Sequence, residues 1–377
     1  MLPSGGGINV VKQFAEELSD RFSVHLNRPS GGFQLKSLKN IPETIYPYPL
    51  WRKPAGILRP VAPVFLITRL LSFKGVCKRI AQSINSNADA ALVHNSMPIA
   101  APPVLDYLKI PALYFCFEHP RHIYEPDIIK RTGSAVSELA LKPLCSIEKR
   151  MDRVSARNAS VVATLSEYMR QNVKQYYLRD SSVVRPGIDI DFFRPPKAGN
   201  TRNNSVMSVG ALWPYKGHET AIKILGNIPP AERPSLRIVA DREYPGYSAQ
   251  LFDLASRLSV EISIERSITN TDLRTLYQNS RAVLCCQRRE PYGLVPLEAM
   301  ACRTPVIATS EGGFIDNVVH GETGCLFDGT ARSGADILTR VLHRNNSDME
   351  ENAYAFVTGK RNLKSGTQKL ISIMEEL

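Results

Sequence analysis

The sequence predicts an α/β protein built from two doubly wound, parallel-sheet domains that face a central cleft. Three observations carry that expectation: a length of 377 residues, a repeated succession of short apolar runs and helical patterns, and a proline-rich, polar break near the middle of the chain. A single hydrophobic core rarely grows to this length, whereas two domains of ordinary size accommodate it.

Taken in order, residues 8–19 place apolar side chains at 10, 11, 14, 15 and 18, the spacing of one helical face, and lead into an expected strand at 22–26. Buried strands are then expected at 90–93, 112–117, 160–164, 206–209, 236–240, 282–286 and 305–308. Helical patterns intervene at 135–157, 167–177, 217–227, 248–258, 271–279 and 294–302. Continuous apolar strands alternating with helices belong to parallel sheets covered on both faces. The break runs from Arg185-Pro186-Gly187 through Arg194-Pro195-Pro196 into the polar stretch Lys197–Asn204. The expected division is therefore an N-terminal domain at 1–190, a second domain at 200–355, and a C-terminal segment at 356–377, helical over 361–377, that crosses back to the first. The glycine-rich turn begins at residue 4, with no strand before it, so the expectation is an upstream start or a truncated reading frame.

Composition narrows the class. Apolar residues make up 43% and charged residues 22%, ordinary values for a globular protein. The formal charge of +11 is unevenly placed: residues 1–195 hold 26 Lys and Arg against 16 Asp and Glu, while the remainder is nearly balanced. No acid lies between Glu43 and Asp89, a stretch that contains Arg52, Lys53, Arg59, Arg69, Lys74, Lys78 and Arg79. Such a stretch suits anionic lipid or a polyanionic ligand, and an ordinary core helix with a solvated basic face explains it equally well. Seven cysteines show no C-x-x-C pair and no metal spacing with histidine, which points to a reducing compartment without a structural metal. The opening residues lack the regions of a signal peptide, and no apolar run approaches the length of a membrane span. The expectation is a cytoplasmic protein, with association at the inner membrane face left open. No basic–aromatic platform accompanies the charge, which disfavours nucleic acid.

The chemistry concentrates in 285–328. A strand ends at Cys286, a loop holds Glu290, and the amides of Gly293, Leu294 and Val295 open a helix carrying Glu298. Helix-start amides point outward at the positive end of the helix dipole and suit a diphosphate. A glycine at 293 allows close backbone approach, and carboxylates on either side accept hydrogen bonds from sugar or ribose hydroxyls. In a second patch, Val209–Gly217, Lys216 sits on a strand-to-helix turn, where an ammonium can neutralise a phosphate.

These residues, together with Thr304-Pro305-Val306-Ile307-Ala308, Gly312-Gly313 and His320–Gly324, resemble the E-x7-E signature segment of family 4 retaining glycosyltransferases, which have the GT-B fold. The resemblance implies that Glu290 contacts the donor sugar and Glu298 the nucleotide ribose. It places Lys216, Tyr292, Gly293, Leu294 and Val295 in the donor site and implies no essential metal or other cofactor. Ala211 stands where the family commonly has arginine, which leaves the phosphates more dependent on Lys216. The first domain resembles the family more loosely. Ser4-Gly5-Gly6-Gly7 is similar to its glycine-rich first loop, with Gly6 and Gly7 as donor contacts. The Pro-Gly-x-Asp element at 186–189 is similar to its interdomain crossing, where it fixes a turn. At 114–125, Phe117 occupies the usual histidine position and His119 follows two residues later. His119 is a catalytic candidate with a structural loop histidine as its alternative, and Glu118 is another candidate polar contact.

The implied reaction moves a sugar, with retained configuration, from a UDP- or GDP-linked donor to a hydroxyl of a growing cell-envelope glycan or lipid-linked acceptor. Competing readings are a GT-B protein that binds nucleotide sugar without turnover, a GT-B phosphorylase or epimerase, and a glycosidase. A glycosidase needs two acids flanking the bond at roughly 5–10 Å, and nothing in the sequence suggests such a cleft.

Overall fold

The computed structural model describes residues 6–30, 41–49, 62–128, 135–197 and 199–377. Ser4 and Gly5 of the first glycine loop, and Arg52, Lys53 and Arg59 of the basic stretch, lie outside the described residues. The chain divides into two compact units, one holding the described residues up to Val184 together with Thr367–Leu377, the other Arg185–Gly366.

The first unit contains helix α1 (Gly6–Ser19), strands β1 (Leu26–Pro29) and β2 (Glu43–Tyr46), helix α2 (Ala62–Asn87), β3 (Ala91–His94), β4 (Ala112–Cys116), the short α3 (Arg121–Tyr124), α4 (Ala135–Asn158), β5 (Val161–Thr164), α5 (Glu167–Tyr177) and β6 (Ser182–Val183). Strands β3 to β6 form a parallel sheet in chain order, while β1 and β2 pair with each other as a separate parallel ribbon. All five residues of β4 are buried, as a strand covered on both faces requires. The expected strand at 22–26 is largely displaced, because Arg21 and Phe22 donate their amides to the Leu18 carbonyl and close the end of α1. Only Leu26 of that segment is in β1. From Ala62 onward the basic stretch is α2, which buries Phe73, Val76, Cys77, Ile80 and Ala81. Lys78 and Arg79 are exposed on it.

The second unit runs β7 (Ser205–Val209), α6 (His218–Gly226), β8 (Ser235–Ala240), α7 (Tyr247–Arg257), β9 (Ile262–Arg266), α8 (Asn270–Asn279), β10 (Ala282–Cys285), α9 (Leu294–Ala301), β11 (Val306–Thr309), α10 (Phe314–Asn317), β12 (Cys325–Phe327), α11 (Ala331–His343) and α12 (Ser347–Lys360), and the chain ends in α13 (Leu363–Glu375). Its six-stranded sheet is parallel, in the order β12-β11-β10-β7-β8-β9. The strands β7, β10 and β11 are almost wholly buried, and the core gathers Val206, Leu236, Ile238, Leu284, Ile307, Leu338 and their neighbours.

Several elements gave no clear sequence signal. β9 is an edge strand with no fully buried residue, so its side chains do not read as a core run. β12 is three residues long, and β6 is two. No described helix is long and apolar enough to cross a membrane.

Candidate functional site

The second unit's sheet has its topological switch point at β7, whose neighbours are β8 on one side and β10 on the other. In open α/β sheets, the connections leaving such a point diverge and open a crevice at the carboxyl ends of the strands. The turn after β7 carries Lys216 and the loop after β10 carries Glu290, and their side chains meet as an ion pair of 2.8 Å, both part-buried. The two sequence patches, whose paired residues are 74 positions apart, thus come together within this unit.

Backbone packing explains the meeting. Lys216 closes a short 3-10 turn, Pro214–Lys216, followed by Gly217 at φ 77°. A Cβ at Gly217 would lie 2.0 Å from the Cys286 carbonyl oxygen, so only glycine lets this turn press onto the end of β10. Arg288 donates its amide to the Tyr215 carbonyl (3.1 Å), and the Gln287 side chain donates to the Val209 carbonyl (3.0 Å). From β11, Thr309 donates its hydroxyl to the Gln287 carbonyl (3.0 Å). Gly313 donates its amide to the Glu290 carbonyl (2.7 Å). Cβ atoms at Gly312 and Gly313 would come within 2.6 Å of the backbone of Glu290 and of Pro291 and Tyr292. The glycine pair is therefore the floor on which the Glu290 loop rests.

The loop passes into α9 through Gly293 at φ 91°, with no side-chain cap. The first amides of a helix lack intrahelical partners. Here Pro296 removes one donor, leaving Leu294 and Val295 as the first helical N–H groups. Packing within the unit itself requires glycine at 293, because a Cβ there would strike the Phe314 ring at 2.6 Å. Glu298, one turn into α9, accepts the Tyr277 hydroxyl at 2.8 Å. Burial raises its carboxyl above the usual range, against the lowering effect of that hydrogen bond. Tyr292 is buried, and its hydroxyl donates to the Pro186 carbonyl at 2.5 Å, so its ring belongs to the unit's interior.

Sequence reasoning missed His218. It is fully buried, with Nδ1 2.9 Å from the Ser208 hydroxyl and Nε2 3.2 and 3.3 Å from the carbonyls of Gly210 and Ala211. Two carbonyls beside Nε2 assign the hydrogen there and leave Nδ1 to accept from Ser208. Burial lowers its pKa to about 4, against the opposing pull of the carbonyls, so the ring is neutral near pH 7. It pins the Gly210-Ala211 turn from beneath. Its place directly after Lys216-Gly217, on a strand-to-helix turn, was the available signal.

In the first unit, Gly6 and Gly7 open α1, and a Cβ at Gly7 would lie 3.8 Å from the Phe117 ring. Phe117 stacks on His94 with ring centroids 6.0 Å apart. His119 is only 3% exposed, enclosed by the rings of Tyr124 and Tyr176, with Nε2 3.4 Å from Glu125. Burial pushes the Glu125 carboxyl up, but His119, Tyr168 and Arg121 together outweigh this and hold it down at about 2. Glu118 is half-buried, 3.6 Å from Arg121.

Residues 189–356 match the family model of glycosyl transferases group 1. The chain is 34% identical over 166 residues to a D-inositol 3-phosphate glycosyltransferase of Thermobispora bispora, covering 39% of each protein. It is 30% identical over 207 residues to the Corynebacterium glutamicum protein of the same name, covering 49% of each. The chain thus spans half or less of the length of these curated relatives. Among solved structures, Anabaena HepE in complex with UDP and glucose superposes with a TM-score of 0.77 at 20% identity, covering 100% of this chain and 98% of that one. Sucrose-phosphate synthase from Thermosynechococcus elongatus gives 0.75 at 17% identity, covering 99% and 94%. The chain therefore has the GT-B fold of glycosyltransferases, and its second unit carries the match to glycosyl transferases group 1.

Proposed function

We propose that this chain is a glycosyltransferase that moves a sugar from a nucleoside diphosphate sugar to a hydroxyl acceptor with retention of configuration. The observation that carries the proposal is the Lys216–Glu290 pair at the sheet's switch point, beside an uncapped helix start. The amides of α9 and the Lys216 ammonium receive the diphosphate, Glu290 accepts hydroxyls of the transferring sugar, and Glu298 accepts those of the ribose. The anomeric carbon–oxygen bond of the donor breaks, a bond to the acceptor oxygen forms, and the acceptor proton leaves with the diphosphate. Negative charge grows on the diphosphate as the bond breaks, and the preorganised cation and amides stabilise that charge. The basic first unit is the expected place for a cell-envelope glycan or lipid-linked acceptor. His119 fits a structural role better than a catalytic one, because its ring is enclosed by aromatic side chains and a carboxylate.

A thermal-shift panel of UDP, GDP and ADP sugars tests the proposal, since a ligand of the native state raises the melting temperature according to its affinity. One clear responder is expected, paired with release of the matching nucleoside diphosphate when an acceptor is added. Binding without release would instead support the non-catalytic reading; a sugar 1-phosphate formed from added inorganic phosphate would identify a phosphorylase, and an epimerised donor an epimerase. A flat panel on folded protein rejects the proposal.

The α2 helix supports a further reading for the acceptor side. Ile67 and Leu71, one turn apart, are 40% and 63% exposed, and Lys78 and Arg79 are exposed further along the same helix. Exposed apolar residues combined with basic ones suit an anionic membrane surface. Co-sedimentation with anionic vesicles, weakened in Leu71→Asp, is the expected result. Equal sedimentation with neutral vesicles would remove the membrane reading.

A further inference from the structure

The short helix α10 grips the loop between β10 and α9 from below. Phe314 fills the space beside Gly293, and the Gly313 amide holds the Glu290 carbonyl. The most informative contact is made by Asn317, whose side chain is fully buried. Its Nδ2 donates to the carbonyls of Tyr292 at 2.8 Å and of Gly293 at 3.4 Å, and its Oδ1 accepts from Arg361 Nε at 3.1 Å. The Arg361 donor fixes which end of the amide is oxygen, so the NH2 faces the two carbonyls without ambiguity. Arg361 is held in turn: its guanidinium donates to the Asp316 carbonyl at 3.0 Å, and its own carbonyl accepts the Ile188 amide at 2.9 Å.

A planar trans peptide carries its C=O and its N–H on opposite sides. Drawing the Tyr292 carbonyl inward therefore turns the Gly293 N–H outward, and drawing the Gly293 carbonyl inward does the same for the Leu294 N–H. No backbone carbonyl among the described residues accepts from either amide. We infer that Asn317, locked by Arg361, is a positioning residue for the diphosphate: it sets the direction of the two amides that receive the anion. This inference rests on the proposed donor site and assigns a task there to two side chains that touch neither sugar nor phosphate.

Asn317→Asp separates positioning from mere packing. The substitution keeps volume and the acceptor for Arg361, but sets an oxygen against two carbonyl oxygens. Affinities for UDP, GDP and ADP, each measured beside its own nucleoside by calorimetry, give a diphosphate-to-nucleoside preference. For the nucleotide that the wild type binds, that preference is expected to fall about tenfold in Asn317→Asp, the scale of losing well-directed hydrogen bonds to a charged group, while nucleoside affinity holds. Arg361→Lys, which cannot make both side-chain bonds, should shift the preference in the same direction by less. If Asn317→Asp does not fold, Asn317→Ala and Arg361→Lys decide the matter by the same ratio. An unchanged preference in a folded variant, even with a lowered melting temperature, overturns the inference and leaves the donor site standing. A wild type that binds no nucleotide overturns both.

Discussion

The two units each contain a cluster of charged side chains, and the clusters differ in what they leave open. In the second unit Lys216 and Glu290 pair with each other beyond the carboxyl ends of the central strands β7 and β10, both part-buried, beside helix amides that lack a capping side chain. In the first, Glu125 is sealed among Arg121, Tyr168 and His119. A buried carboxylate held by several donors has its bonding capacity used by the fold. A part-exposed pair at a switch point keeps capacity for a ligand. The difference teaches that residue type alone does not tell a closed cluster from an open one: His119 and Lys216 both look reactive in the sequence, and His119 is enclosed while Lys216 is part-buried.

The sharpest way to break this comparison is to remove the open cluster. Lys216→Ala is expected to lower transfer by about a thousandfold and Glu290→Gln by about a hundredfold, the range for losing preorganised charge at a developing anion. Both variants should keep the wild-type melting temperature within a few degrees, as followed by product formation and thermal melts. Normal turnover in either would dissolve the assignment.

The closed cluster should respond in the opposite manner. Glu125→Ala removes the buried carboxylate that Arg121, Tyr168 and His119 share, leaves Arg121 with the more distant Glu118, and is expected to cost about 3 kcal/mol of stability in denaturant titrations. The low pKa of Glu125 means that its contribution is present above about pH 4.5 and is lost as pH falls toward 2. Stability unchanged in Glu125→Ala would show that the cluster is not structural.

Asp152 gives a smaller effect with the reverse sign. It is fully buried and accepts the Ala101 amide at 2.8 Å, and burial raises its carboxyl to about 6 despite that bond. The folded state therefore holds the proton more tightly than the unfolded chain, so stability declines as pH rises from about 4 to about 6 and is level above. Asp152→Asn, which still offers an acceptor to Ala101, should remove that decline of about 3 kcal/mol in melts across the range. A slope that persists would assign it elsewhere.

His218→Phe tests the support beneath the open site. Transfer is expected to fall about tenfold, as for a displaced positioning group. Because His218 is already neutral, the wild-type rate should show no step near pH 6.5 caused by this residue. A rate equal to wild type in the variant would mean that the Gly210-Ala211 turn holds without it.

Most of the strand-helix succession was legible because covered parallel strands are continuous apolar runs, as in β4, β7, β8 and β10. The α5 boundaries were readable too, where Ser166 accepts the Met169 amide at the start of the helix. β9, half-buried at an edge, and β12, three residues long, carry too little apolar pattern to be seen. Glu290, Glu298 and Lys216 were visible as residue types flanking strand-to-helix turns.

What the sequence determined by itself was local: which runs are buried, where helices start, and which turns combine glycine with charge. Such features depend on neighbours within a few positions and are written in order along the chain. Tertiary structure alone decided that Lys216 meets Glu290, that Phe314 demands glycine at 293, and that His119 is enclosed while Asn317 holds a pair of carbonyls. Each depends on strand order and on packing between residues far apart in the chain, and one-dimensional patterning carries no record of which distant backbone will occupy the space beside a given atom.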